Sequence, residues 1–352
     1  MSLSGEKPRA DREMSPSREK PFAMSCLVRS HEPFAGESRG LSMKETRGNE
    51  MRKGRAAMRE TGLKRLTSGA FFMGPALLIF AAVIIIPIGM SMYYSLFQWD
   101  AISARIFTGM DNYTRLFQDP VLWISLKNSL FLTLGALLIQ LPVGLFLAIL
   151  LGYKLRGSNF MKTIYFTPVM LSTAVLGILW AQIYDPNFGL LNNLLIKLGL
   201  QSWTHAWLGE TGTALASVIA VVAWQFIGFY VVVYFAALQN ISDEVLEAAR
   251  VEGASEWRIV FNIQIPLIWG TITFTVLNCV INSLKYFDLI YIMTGGGPNN
   301  SSEVIASYMM KNAFKLMDYG YGSAISTFLL LFGLVLALII FKLLNKGNAK
   351  FQ

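Results

Sequence analysis

Thr271, Thr275, Asn278, Asn282 and Lys285 recur at spacings of four, three, four and three. On a helix that spacing gathers them on one stripe. All but the last lie within Ile259–Leu284, a stretch without a charged residue. A polar stripe in so apolar a helix either bonds a neighbouring helix or faces a polar solute. Ser283 and Tyr286 flank it, and Trp224, Gln225 and Tyr230 form a second polar island in an earlier apolar stretch, with Trp180 and Gln182 in a third. Amide and aromatic groups together suit a sugar, whose hydroxyls need hydrogen bonds and whose ring faces stack on aromatic side chains. Asn278, Asn282, Ser283, Tyr286, Gln225 and Tyr230 are therefore the candidates for a substrate pathway, with helix-to-helix bonding as the alternative reading of the asparagines.

Other chemistries find less support. No Gly-x4-Gly-Lys-Ser/Thr occurs, so there is no phosphate loop of that type. Gly295-Gly296-Gly297-Pro298 lacks the following Lys and reads as a flexible turn. His31 and His205 have no Cys or His at metal-binding spacing, and Cys26 and Cys279 are placed too differently to suggest a disulfide framework. Neither a metal nor another cofactor is expected, and the apolar stretches hold no paired groups for an intramembrane enzyme.

The elements that must carry these residues follow from composition. The chain has 352 residues, of which 54% are hydrophobic and 15% charged; a soluble domain carries about 25% charged residues. Six intervals are free of charge: Leu66–Trp99, Asn128–Tyr153, Thr163–Tyr184, Thr211–Ser242, Ile259–Leu284 and Tyr319–Phe341. Each is long enough to cross a hydrocarbon core of about 30 Å, which needs about 20 helical residues. A charge at a helix centre costs about 2.5–3.5 kcal/mol on the insertion scale, so six such gaps point to six spans. The spans must be helices, because continuous apolar runs such as Ala81–Ile86 and Phe328–Ile340 lack the alternation of a membrane barrel, and a helix satisfies its own backbone in lipid. Pro75, Pro87, Pro142 and Pro168 predict kinks. The fold class is an all-α membrane protein with six transmembrane helices.

Charge sets the orientation. The net charge is +8, and half of the Lys and Arg precede Leu66. A basic flank beside a first span fits the positive-inside rule better than a nucleic-acid surface. Basic residues are denser in that flank, after span two (Lys154, Arg156, Lys162) and at the C-terminus (Lys342, Lys346, Lys350) than in the loop 185–210, which has only Lys197. Both termini are expected in the cytoplasm. Residues 1–62 form a polar, basic tail without apolar periodicity, expected to be disordered, and Met43, Met51 and Met58 are alternative starts that would make the tail a mis-called one.

Between spans four and five, Ser242 precedes an acidic first turn of Asp243 and Glu244, which suits the start of a helix. Val245, Leu246, Ala249 and the stem of Arg250 give that helix an apolar face, Gly253 ends it, and Trp257, Ile259, Val260 and Ile263 begin a second helix. Asp243, Glu244, Glu247 and Glu252 would be repelled by an anionic lipid leaflet, so a protein groove is the better partner for this face.

Glu247-Ala248-Ala249, then Gly253, then Ile263-Gln264-Ile265-Pro266, resembles the Glu-Ala-Ala loop of binding-protein-dependent ABC transporter permeases, with Ile265 replacing the usual Leu and Glu252 a common Asp. The run from Tyr291 to Glu303, followed by Tyr308 and Ala313-Phe314, is similar to the carbohydrate-uptake branch, which includes permeases for maltose-like oligosaccharides and glycerol 3-phosphate. The likeness extends over about residues 65–345 and leaves the tail without a counterpart. It implies the transmembrane domain of a type I ABC importer over residues 63–346, with a coupling loop at about 240–266. It implies a multi-pass subunit of the bacterial cytoplasmic (inner) membrane that passes a sugar through the lipid bilayer. Its partners would be a second homologous permease, two separate ABC ATPase subunits and an extracytoplasmic solute-binding protein, with no nucleic acid. Glu247, Ala248, Ala249 and Gly253 would form the ATPase-coupling segment, Glu247 making a polar contact, the alanines allowing close approach and Gly253 turning the chain. The glycine-rich loop would face the binding protein. The competing reading is an ion-coupled secondary carrier, against which stands the lack of any acid in the six windows.

Overall fold

The computed structural model describes residues 73–152 and 158–348. The basic tail, its alternative starts, and Lys154, Arg156 and Lys350 lie outside those residues. The packed unit that begins at Leu77 carries all that follows except residues 73–76.

The first span, α1 (Met73–Tyr94), widens to a π-helical turn at Ala81–Ile85 and resumes as α-helix at Ile86. Pro87 falls at the start of the resumed helix, where the wider turn accommodates its missing amide. A short amphipathic helix, α2 (Asp111–Gln118), precedes the longest element, α3 (Pro120–Gly152). Pro142 lies inside α3, which stays unbroken for 33 residues. Next come α4 (Ser158–Met170) and α5 (Thr173–Ile183), then α6 (Leu190–Lys197) and the fourth span, α7 (Ala214–Gln239). After α8 (Asp243–Val251), three short helical pieces over residues 256–267 lead into α9 (Trp269–Lys285). The remaining helices are α10 (Asp288–Met293), α11 (Ile305–Met310) and α12 (Tyr319–Asn348). Among the described residues the one β pairing is two residues long, Phe97–Gln98 against Ile106–Phe107.

Among the described residues five helices are long and apolar enough to span a membrane, and the pair α4–α5, counted as one span, makes six. That pair departs from expectation. Thr163–Tyr184 reads as one span with a kink at Pro168, but the two helices meet at 95°. The Leu171 N–H closes a tight turn on the Pro168 carbonyl, Ser172 swings to extended backbone, and a new helix starts with the Leu176 amide on the Ser172 carbonyl. Hydropathy counts apolar residues and does not register such a change of direction. The fifth span also differs. It begins at Trp269 rather than Ile259 and runs through a break to Met293.

Helices α3 and α7 form the central pair, with α4 and α9 against them and α12 beyond α9. Small residues set the closest approaches. A Cβ on Gly228 of α7 would lie 1.8 Å from the Tyr165 carbonyl oxygen of α4, and one on Gly144 of α3 would lie 2.9 Å from the Tyr230 Cβ. Such approaches are how helices pack where lipid removes the hydrophobic drive between them. One core cluster, Ala136, Leu141, Ala148, Tyr230, Tyr234, Ile268 and Cys279, joins α3, α7 and the start of α9. Apolar side chains on α1 such as Leu78 and Val83 stay exposed, as a face turned to lipid or to another subunit would be.

Candidate functional site

The stripe on α9 divides in two. Thr275 is buried and its hydroxyl lies 2.6 Å from the Tyr234 hydroxyl of α7, so it ties two helices together. Beyond it, Asn278, Asn282 and Lys285 line a cavity of about 420 Å³, together with Ser283, Tyr286 and Tyr230. Five of the six candidate pathway residues thus share one cavity. The sixth, Gln225, is only 2% exposed and does not line it. Its Oε1 accepts the Tyr286 hydroxyl at 3.0 Å, so Gln225 orients a residue that does.

The asparagines bond each other rather than a neighbouring helix. The Asn282 Nδ2 donates to Asn278 Oδ1 at 3.0 Å, one turn apart. This leaves the Asn278 amide hydrogens and the Asn282 carbonyl oxygen for a solute, donors beside an acceptor. Aromatic rings complete the wall: Phe226 meets Tyr286 edge-on at 5.9 Å, and Phe229 meets Tyr230 at 5.2 Å. Trp180 and Trp224 instead pack on each other at 5.4 Å.

Among the cavity residues that escaped the sequence reading, Gln140 and Asp288 have the most to offer chemically. Gln140 of α3 donates from Nε2 to the Val222 carbonyl at 3.2 Å and accepts from the Cys279 thiol at 3.6 Å, so it links three helices at the cavity wall. Its signal was present, an amide in the middle of the charge-free stretch Asn128–Tyr153. Asp288 was missed because the window closed at Leu284. The structure carries the fifth span on to Met293, with a break at Tyr286–Phe287, and so places Lys285 and Asp288 inside it. The absence of acids from the windows therefore does not extend to the spans themselves, and that argument against a carrier fails.

The loop between spans four and five has the expected local form. The Ser242 hydroxyl caps α8 by accepting the Val245 amide at 3.4 Å. At the other end Gly253 has φ +82, and the amides of Gly253 and Ala254 bond the carbonyls of Arg250 and Ala249, both at 3.0 Å. This is a Schellman closure, which needs a left-handed residue at the position of Gly253. Glu247 and Ala248 are exposed, and among the described residues Glu247 has no hydrogen-bond or ion-pair partner. Ala249 is turned inward and buried, on the same face as Leu246 three residues before it. Of the two alanines expected to admit a partner, only Ala248 is open to one. Outside the turn, Trp257 stacks on Phe261, and both are exposed, as is Val251.

Arg250 spans the turn to Glu256 with two bonds, Nε to Oε1 at 2.9 Å and Nη2 to Oε2 at 3.4 Å. The pair is half exposed, so its value to stability is small, about 0–1 kcal/mol. Its geometric effect is to hold α8 against the next helical segment across Gly253. Reversing one charge, Arg250→Glu, should leave the folded protein in place and lower its melting temperature in detergent by no more than a few degrees. The double swap with Glu256→Arg should recover most of that loss, which thermal melts of the two variants beside wild type would measure.

The glycine-rich stretch is not the flexible turn its composition suggests. Asn128 donates from Nδ2 to the carbonyls of Ser301 at 3.0 Å and Glu303 at 2.9 Å, and the Ser129 hydroxyl accepts the Ile305 amide at 3.0 Å. Ser302 donates to the Gly297 carbonyl at 2.6 Å. Gly296, at φ +84, lies over the buried Glu303 carboxyl, where no Cβ would fit. Burial raises the Glu303 pKa, against a bond from Ser307 and the charges of Lys311 and Lys315. A raised folded-state pKa makes the protonated form the stabilising one, so stability contributed below the ordinary glutamate range is lost as pH rises through the folded value. Melting temperature in detergent should fall as pH rises above the ordinary glutamate range, and Glu303→Gln should flatten that part of the profile.

Residues 140–349 match the family described as the inner membrane component of binding-protein-dependent transport systems. The chain belongs to that family. This permease is 39% identical over 280 residues to the probable ABC transporter permease protein YurN of Bacillus subtilis, covering 79% of its own length and 96% of the relative's. It is 34% identical to the diacetylchitobiose uptake system permease NgcF of Streptomyces coelicolor, covering 82% of this chain and 86% of that one. Its fold matches a chain of a bacterial ABC transporter that imports the acidic polysaccharide alginate, with a TM-score of 0.66 at 23% identity over 81% of this chain and 99% of that one. The permease is thus a multi-pass inner-membrane transport component with the fold of an importer's transmembrane domain, and an ion-coupled carrier is set aside on family grounds.

Proposed function

We propose that this permease forms part of a carbohydrate passage through the cytoplasmic membrane, over residues 63–346. A second homologous permease completes it, two ATPase subunits drive it, and an extracytoplasmic binding protein supplies the sugar. The observation that carries the carbohydrate reading is the cavity, where paired amides, a serine hydroxyl and aromatic rings from separate helices converge. The diacetylchitobiose relative points the same way.

In this reading α8 docks in a groove of the ATPase through Glu247 and Ala248, and the loop at about 240–266 is the coupling loop. That dock places α8 and both termini on the cytoplasmic side and the Gly295–Gly297 stretch outside, toward the binding protein. ATP binding closes the ATPase pair, and α8 with the segment after Gly253 moves as a rigid body that reopens the cavity. The test of the cavity is the double variant Asn278→Ala with Asn282→Ala. Hydrogen bonds to a solute are worth about 0.5–1.5 kcal/mol each, so losing both amides should lower sugar uptake by about tenfold at normal expression. Unchanged uptake would remove both residues from the pathway.

A further inference from the structure

Lys285 and Asp288 are opposite charges set on either side of the break in the fifth span, and both line the cavity that holds Asn278 and Asn282. Among the described residues they are the only ones lining that cavity that carry a charge. Among the described residues neither forms an ion pair, although they are only three positions apart. An ionisable group within a span is costly unless something in a polar passage answers it. Here the two charges cancel, so this chain's wall of the cavity is polar and net neutral. Its bonding groups are also balanced. The Asp288 carboxylate accepts only, the Lys285 ammonium donates only, and the asparagine pair offers free donors and a free acceptor.

We infer that the permease selects uncharged polyhydroxylated sugars, and that Asp288 is the residue that rejects acidic ones. This rests on the carbohydrate reading above. Each hydroxyl of a neutral sugar both donates and accepts, so it can bond Asp288 and Lys285 alike. A sugar carboxylate or sulfonate only accepts. It would gain from Lys285, but it would also meet the like charge of the Asp288 carboxylate on the same cavity wall.

The test is sugar binding to the assembled transporter in lipid nanodiscs, without the binding protein, read by saturation-transfer NMR. The neutral probes are lactose, maltose and diacetylchitobiose; the acidic probes are dimannuronate and digalacturonate. At least one neutral disaccharide should bind wild type about tenfold more tightly than either acidic one, the scale of one charge-assisted bond gained or lost. Asp288→Asn, which keeps shape and leaves Lys285 unopposed, should abolish that preference. Lys285→Met should deepen it. Equal binding of both classes by wild type, or a preference that survives Asp288→Asn, would overturn the inference and leave the carbohydrate reading standing. No binding of any probe to wild type would remove that reading and the inference with it.

Discussion

Replacing Glu247 by Arg should leave the six spans inserted at normal yield and strip the ATPase subunits from the purified complex. Glu247 lies mid-way along α8, exposed, and among the described residues it has no partner of its own. Its reversal therefore disturbs little inside the chain. At a docked surface, opposing like charges cost several kcal/mol, and at 1.4 kcal/mol per tenfold that is a loss of about a hundredfold or more in affinity. Co-purification in detergent reads the result directly. ATPase subunits retained at the wild-type ratio would take Glu247 out of the coupling contact. Because Ser242, Gly253 and the Schellman closure are untouched, α8 itself should persist, so loss of the partner would not be loss of the helix.

The second large effect is structural. Gly228→Val should remove most folded protein from the membrane. A Cβ at Gly228 would collide with the Tyr165 carbonyl oxygen at 1.8 Å, and a backbone atom in a packed helix cannot step aside as a flexible side chain can. Overpacking that displaces only side chains already costs about 1–3 kcal/mol. Here α4 must move away from α7, and Val169 near its end helps to line the cavity. Gly144→Ala is the graded comparison. Its new Cβ meets the Tyr230 Cβ at 2.9 Å, which moves only with the α7 backbone but needs a much smaller shift than the 1.8 Å contact at Gly228, so it should fold with a lowered melting temperature. Fluorescence-detected size exclusion of tagged variants would separate the two outcomes. A monodisperse Gly228→Val peak of wild-type height would contradict the close approach of α4 and α7.

What could be read from sequence follows the physics of each signal. Charge-free length is a direct consequence of lipid solvation, and it located the spans to within a few residues at Ala214–Gln239 and at Tyr319. Cap chemistry is local, so Ser242 and Gly253 bounded α8 correctly from residue type alone. The polar stripe was legible because helical spacing is fixed, but the spacing could not say that Thr275 bonds Tyr234 while Asn278 and Asn282 bond each other, since those choices depend on which helix lies opposite. The same limit hid the burial of Ala249. Gln140 and Asp288 needed the packing of α3 and the break after Lys285 to join the cavity. The glycine run misled for a related reason. Its composition signals freedom, yet Asn128, some 170 residues earlier, holds the chain beyond it by three carbonyls.

Coupled transport requires α8 to grip a nucleotide-hydrolysing neighbour. The direct measurement is cross-linking from Ala248→Cys, an exposed position beside Glu247, to the ATPase subunits of the assembled transporter, with and without ATP during sugar uptake. Efficient capture, changing in yield when ATP is bound, with uptake that stops when ATP is withheld, is the predicted result. Capture that never occurs from this position, or sugar uptake that continues without ATP, would contradict it.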